Sequence, residues 1–152
     1  MKADLTLPLP AERFIPHRLP MRLVETLLSC EDAAGVVETA VAANGPLTGA
    51  DGALDDVAFV ELLAQGYAVI KGYDDLFNGK EISKGYLVGI KKIQVKGRAA
   101  AGDRLLIRIR TVGRFEGFAV AEGEVEREGE ILACGSIKLW IVPSDPAAGG
   151  AA

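Results

Sequence analysis

Residues 55–72, DDVAFVELLAQGYAVIKG, limit what this chain can become more than any other stretch. They read as a helix that is apolar on nearly every side. Such a helix has no face to give to water, so other elements must wrap it. Asp55 or Asp56 stands where a side chain would cap its free amides, and Gly72 with the YDDLFNGKE that follows is expected to end it. In its middle sits one carboxylate, Glu61, with Gln65 one turn later. That spacing puts the two on one helix face, within reach of each other. The flanks VAFV and LLA leave no solvated side. Burying a carboxylate is costly unless it is paired or protonated, and a protonated carboxyl is what a general acid needs. The residues alone leave two readings of Glu61 open: an anchor for neighbouring amides, or an acid.

The rest of the chain supplies the wrapping. Pro8, Pro10, Pro16 and Pro20 make residues 1–20 an extended arm, with one short helical turn near residues 11–14. Residues 21–29 and 36–42 read as a hairpin around a turn at 32–35, and 44–52 as a loop of turn formers. Residues 85–95 are β-rich. Residues 104–110, RLLIRIR, alternate: Leu105, Ile107 and Ile109 on one face, Arg104, Arg108 and Arg110 on the other. Strands at 118–127 and 131–142 follow, separated by Glu-Gly turns. Strand, strand, helix, then four strands is an α+β order, with the helix packed on one sheet face. One domain is expected over residues 1–143, with a flexible tail at 144–152.

Composition removes several classes of function. The 152 residues are 49% apolar and 25% charged, with a net charge of −4 and no basic run interleaved with aromatics. That argues against nucleic acid as a partner. No apolar run reaches the roughly 20 residues of a membrane span, and MKADLTLPL lacks the pattern of a signal peptide. A cytoplasmic protein is expected. Cys30 and Cys134 share no motif and read as reduced and buried. With a single histidine, His17, no zinc site is expected. GKEISKG at 79–85 lacks the context of a phosphate loop. No metal or cofactor is implied.

Three blocks carry a family resemblance. FIPHRLPMRLVET at 14–26 resembles the LPHRYPxLLVD opening of the 3-hydroxyacyl-acyl-carrier-protein dehydratases, FVELLAQ at 59–65 resembles their VEAMAQ helix, and LVGIKKIQVKGRAAAGDRLLI at 87–107 resembles their GIDxARFRRPVxPGDxL strand and turn. The blocks stand in family order. The resemblance implies the hotdog fold, a curved antiparallel sheet around one long central helix. It implies a homodimer or higher oligomer, or a heterodimer with a related dehydratase, and an acyl thioester substrate on acyl carrier protein or coenzyme A. The implied reaction removes water from a 3-hydroxyacyl thioester, as in fatty acid, polyketide or aryl-polyene synthesis. It puts the acid on Glu61, with Gln65 orienting it. It places backbone N–H donors for the thioester oxygen at Asp56 or Val57. Pro16 and His17 lie in the arm that lines the acyl tunnel, and Tyr86 matches a tunnel-gating position. Lys91, Lys92, Lys96 and Arg98 form a basic patch suited to an acidic carrier protein, or to guarding an edge strand.

The chain departs from the family in one respect. The usual base is a histidine in an HFPGHPxMPG loop before the helix; counting back from Glu61, that position holds Leu47, and the Pro-Gly is Asp55-Asp56. The imidazole left is His17, which becomes the candidate base. An aryl-polyene branch of the family is similar: it keeps PHRxPM and a Glu-x-x-Ala-Gln helix without the histidine loop. Two rivals stand beside dehydration: a hotdog thioesterase using Glu61 to activate water, and a silent acyl-binding partner of an active homologue.

Overall fold

The computed structural model describes residues 5–142; the tail expected at 144–152 lies outside the described residues. Seven strands and one long helix follow in the order β1 (Leu9–Pro10), a single 3-10 turn (Ala11–Arg13), β2 (Thr26–Glu31), β3 (Ala34–Ala40), α1 (Val57–Phe77), β4 (Lys84–Val95), β5 (Arg104–Phe115), β6 (Phe118–Arg127) and β7 (Glu130–Val142). The strands form one antiparallel sheet in the order β1-β2-β3-β5-β6-β7-β4. It curves around α1, which touches every strand from β2 to β7. This is the α+β hotdog architecture.

The alternation in β5 explains the packing. Leu105, Ile107 and Ile109 are buried against the helix, while Arg104, Arg108 and Arg110 face out. The outward arginines meet glutamates on neighbouring strands: Arg104 with Glu38, Arg108 with Glu124 and Glu126, and Arg110 with Glu122. Cross-strand pairs of opposite charge favour this register over a slip by one residue, which would bury the arginines. The hairpin turns at Asp32-Ala33, Glu116-Gly117 and Glu128-Gly129 have positive φ at both residues. That is the geometry whose twist matches the flanking strands.

Strand β3 runs over Ala34–Ala40 rather than 36–42 and β5 continues to Phe115, and two further boundaries differ where the arm meets the helix. Gly72 does not end α1, which runs on to Phe77. A Cβ at Gly72 would lie 2.3 Å from the Phe14 carbonyl oxygen, so the glycine is there to admit the arm. The helix stops instead at Asn78, whose N–H bonds the Asp74 carbonyl, and at Gly79 with φ +72°. At the other end Asp55, not Asp56, caps: its carboxylate accepts the Val57 N–H at 2.9 Å. Residues 21–25 do not join a strand as expected. Gln65 holds them, accepting the Leu23 N–H at 2.8 Å and donating to the Met21 carbonyl at 2.9 Å. Phe14, Ile15 and Val24 complete the arm's burial in the core.

Gly72→Ala should destabilise the fold by about 2–3 kcal/mol, an overpacking cost, read as a fall in thermal midpoint. Gln65→Leu keeps the volume but orphans a buried amide and a carbonyl, and should cost about 2–4 kcal/mol. Hydrogen exchange at the Leu23 amide should then rise to the level of an exposed loop, whereas the amides of β5 should exchange as before apart from the global change.

Candidate active site

The arm, the helix and β4 meet around a cavity of about 210 Å³. Glu61, Ala64, Gln65 and Ala68 supply its helix wall, His17 the arm, Gly85, Tyr86 and Leu87 the β4 side, and Leu139 and Ile141 the β7 side. The helix period explains the first set, since positions 61, 64, 65 and 68 share one face. His17 reaches the cavity because Gln65 fastens the chain four residues further on, at Met21.

Glu61 is held rather than free. The Gln65 amide donates to its Oε1 at 2.8 Å, as the i, i+4 spacing predicts. Both Gln65 N–H groups and its oxygen are thereby used, and Gln65 itself is 1% exposed. The remaining Glu61 oxygen has no hydrogen-bond partner among the described residues. His17 is half-buried, its Nδ1 is buried, and no hydrogen bond within the described residues involves its ring. The ring is therefore not tied to the backbone among the described residues.

Other expected residues land elsewhere. Tyr86 lines the cavity but is 57% exposed on β4, the sheet edge. Pro16 is exposed and stands beside the cavity without lining it. Asp56 and Val57 are exposed at the start of α1, outside the cavity. The Val57 N–H is also taken by Asp55, so within this chain it is not free to bind a thioester oxygen. Leu47 lines a second, mostly apolar cavity of about 540 Å³ on the other side of the arm, with Leu19, Leu23, Leu54 and Leu62. Lys91 and Lys92 lie on β4, with Lys96 and Arg98 just beyond it; all four are exposed and without ion pairs among the described residues. Lys92 also borders a shallow groove on the outer sheet face with Arg108 and Glu124.

Three polar lining residues escaped the sequence reading. Tyr67 and Lys71 on α1 and Ser83 before β4 also border the Glu61 cavity. Tyr67 and Lys71 lay inside the expected helix, and the 3.6-residue period from Glu61 was the signal that could have found them; Ser83 carried none. Burial pushes the Tyr67 phenol up, with Arg114 pulling it the other way. Cys30 is half-buried rather than buried, and desolvation, helped by Asp74, raises its thiol to about 11; a thiol of that kind is a poor nucleophile at neutral pH. Among the described residues no group of three or more His, Cys, Asp or Glu is placed to hold a metal ion. No helix there is long and apolar enough to cross a membrane.

Known proteins place this arrangement. Residues 9–148 match the family described as ApeP-like, the ApeP dehydratases. The 3-hydroxyacyl-acyl-carrier-protein dehydratase FabZ of Streptococcus equi subsp. zooepidemicus is 31% identical over 130 residues, 81% of this chain and 89% of that one. FabZ of Streptococcus sanguinis is 30% identical over 134 residues, 84% and 91% of the two chains. Among solved structures, the dehydratase heterocomplex ApeI:P from Xenorhabdus doucetiae superposes with a TM-score of 0.82 at 26% identity, over 90% of this chain and 93% of that one. A hypothetical thioesterase from Streptococcus pneumoniae, solved with coenzyme A, shares the fold at a TM-score of 0.62 and 14% identity, over 76% of this chain and 84% of that one. With its hotdog sheet, its Glu61–Gln65 helix and a match that spans nearly its whole length, this chain belongs to the ApeP-like family of dehydratases.

Proposed function

We propose that the protein dehydrates 3-hydroxyacyl thioesters carried on an acyl carrier protein, with Glu61 and His17 as its acid and base. One observation carries the reading: the helix carboxylate and the chain's single imidazole line the same cavity, and the carboxylate is oriented by a buried amide. His17 takes the C2 proton, and the electron pair of that bond moves toward the thioester carbonyl. The C3–O bond then breaks, Glu61 gives its proton to the departing hydroxyl, and water and a 2-enoyl thioester leave. Each proton transfer of this kind contributes about 10²–10⁴-fold. The thioester oxygen needs a donor at the enolate-like stage, and this chain's Val57 amide is engaged. A second subunit is the natural source. β4 is an open sheet edge with Tyr86, Val88 and Ile90 exposed beside the cavity. An unpaired apolar edge of this kind is a template for a partner strand. The partner is a copy of this chain or a related dehydratase, the latter in line with the ApeI:P heterocomplex. Lys91, Lys92, Lys96 and Arg98 would steer an acidic carrier protein to the entrance.

A thioesterase is the second reading, favoured by the leucine in the loop before the helix, because hydrolysis needs only a carboxylate and water. Incubation with 3-hydroxyacyl-carrier protein separates the two: enoyl product marks dehydration, free carrier thiol marks hydrolysis. Glu61→Gln should lower kcat for enoyl formation by about 10²-fold or more, and His17→Ala likewise. His17→Ala at the wild-type rate would remove the imidazole from the mechanism.

A further inference from the structure

The inward positions of β3 and its continuation are Val37, Thr39 and Val41, all buried. A third valine at position 39 would suit both the strand and the core. A hydroxyl stands there instead, on a residue that is 2% exposed, and a buried hydroxyl is costly unless it is bonded. Thr39 Oγ1 donates to the Leu23 carbonyl at 2.6 Å, while on its own strand the Ala40 carbonyl lies 3.5 Å away.

Leu23 is thereby gripped from both sides. Its N–H goes to Gln65 Oε1 on α1 at 2.8 Å, and its carbonyl is tied to β3 through Thr39. A backbone bond to β3 comes two residues later, from the Glu25 N–H to the Glu38 carbonyl at 3.1 Å. The same Gln65 carboxamide donates to the Met21 carbonyl and to Glu61 Oε1. A carboxamide is planar, so the place where Leu23 holds its oxygen decides where its N–H groups point. His17 lies six residues before Leu23 in the same segment. Thr39 itself does not line the Glu61 cavity; it borders the apolar cavity on the other side of the arm.

We infer that Thr39 is a positioning residue for the dehydration: by holding Leu23 from the sheet, it keeps the Gln65 carboxamide turned so that Glu61 and His17 stay in register across their cavity. This rests on the reading of Glu61 and His17 as acid and base. Thr39 acts through Leu23 and Gln65, so its influence on the reaction is one of orientation, where a displacement of about 1 Å costs about 10²-fold.

The test measures enoyl formation from 3-hydroxyacyl-carrier protein, beside thermal midpoints, for Thr39→Val, Thr39→Ser and Thr39→Ala in the full chain. Thr39→Val should lower kcat by about tenfold or more with KM held within about twofold. Thr39→Ser keeps the hydroxyl and loses a buried methyl; it should melt lower than wild type and keep kcat within about twofold of it. Thr39→Ala should be as slow as Thr39→Val. Valine against threonine and alanine against serine each remove the hydroxyl, so either comparison decides the matter if a variant of the other fails to fold. A kcat that follows the thermal midpoint rather than the hydroxyl, a raised KM at unchanged kcat, or Thr39→Val at the wild-type rate would overturn the assignment. A second measurement needs no catalysis: hydrogen exchange of the Gln65 side-chain amide should quicken by about tenfold or more in Thr39→Val and hold in Thr39→Ser. Unchanged exchange in Thr39→Val would overturn the assignment as well. No enoyl product from the wild type would remove the dehydratase reading alone, and the exchange rates would then decide whether Thr39 positions the carboxamide.

Discussion

The carboxamide of Gln65 is the contact on which the site depends. It gives one N–H to the Met21 carbonyl, the other to Glu61, and takes the Leu23 N–H on its oxygen. No alternative orientation satisfies these three partners, since a flipped amide would turn N–H toward N–H. The bonding therefore fixes the arm, the helix and the carboxylate in a single geometry. A non-strand segment is thus held against a helix, and that segment brings His17 to the cavity that Glu61 lines. The helix's other face can then ride close to β5, where Gly66 leaves no room for a Cβ beside Ile107 and Ile109.

Much of this was legible in the sequence. The alternation in RLLIRIR survives as buried Leu105, Ile107 and Ile109 beneath exposed arginines. The Glu-Gly pairs form the turns they suggested. The i, i+4 relation of Glu61 and Gln65 appears as a real hydrogen bond, and the arm's His17 does reach the carboxylate's cavity. What failed did so where a residue's role depended on a distant neighbour. Gly72 looks like a stop in isolation and is a contact surface for Phe14, 58 positions earlier. Residues 21–25 have the composition of a strand, yet the Met21 carbonyl and the Leu23 N–H bond the Gln65 side chain on α1, and a backbone bond to β3 appears at Glu25, whose N–H donates to the Glu38 carbonyl. The expected helix already contained Lys71, but its partner Asp75 lies beyond Gly72, so the ion pair between them was not legible.

Charge is also divided between the two sides of the sheet's centre. Arginines on β5 are matched by glutamates on β3 and β6, so that surface is neutralised within the chain. Lys91, Lys92, Lys96 and Arg98, on and after β4, have no ion pair among the described residues. Paired charge on an exposed face contributes little stability, whereas unmatched charge along an edge projects a field that an approaching surface can feel. An acidic protein can in this way present one basic strip.

The order of strands has a consequence for how the cavity comes into being. β4 pairs with β7 alone, and between them in the chain run the whole of β5 and β6, which pair with each other first in sequence. β5 and β6 can zip as a local hairpin, but β4 has no lateral support until β7 slots between it and β6. Contacts that distant in the chain form slowly. Leu139 and Ile141 of that same strand are the wall facing Glu61. The enclosure around the carboxylate is consequently incomplete until β4 and β7 have paired, and a chain lacking that pairing exposes α1 without holding a place for a ligand.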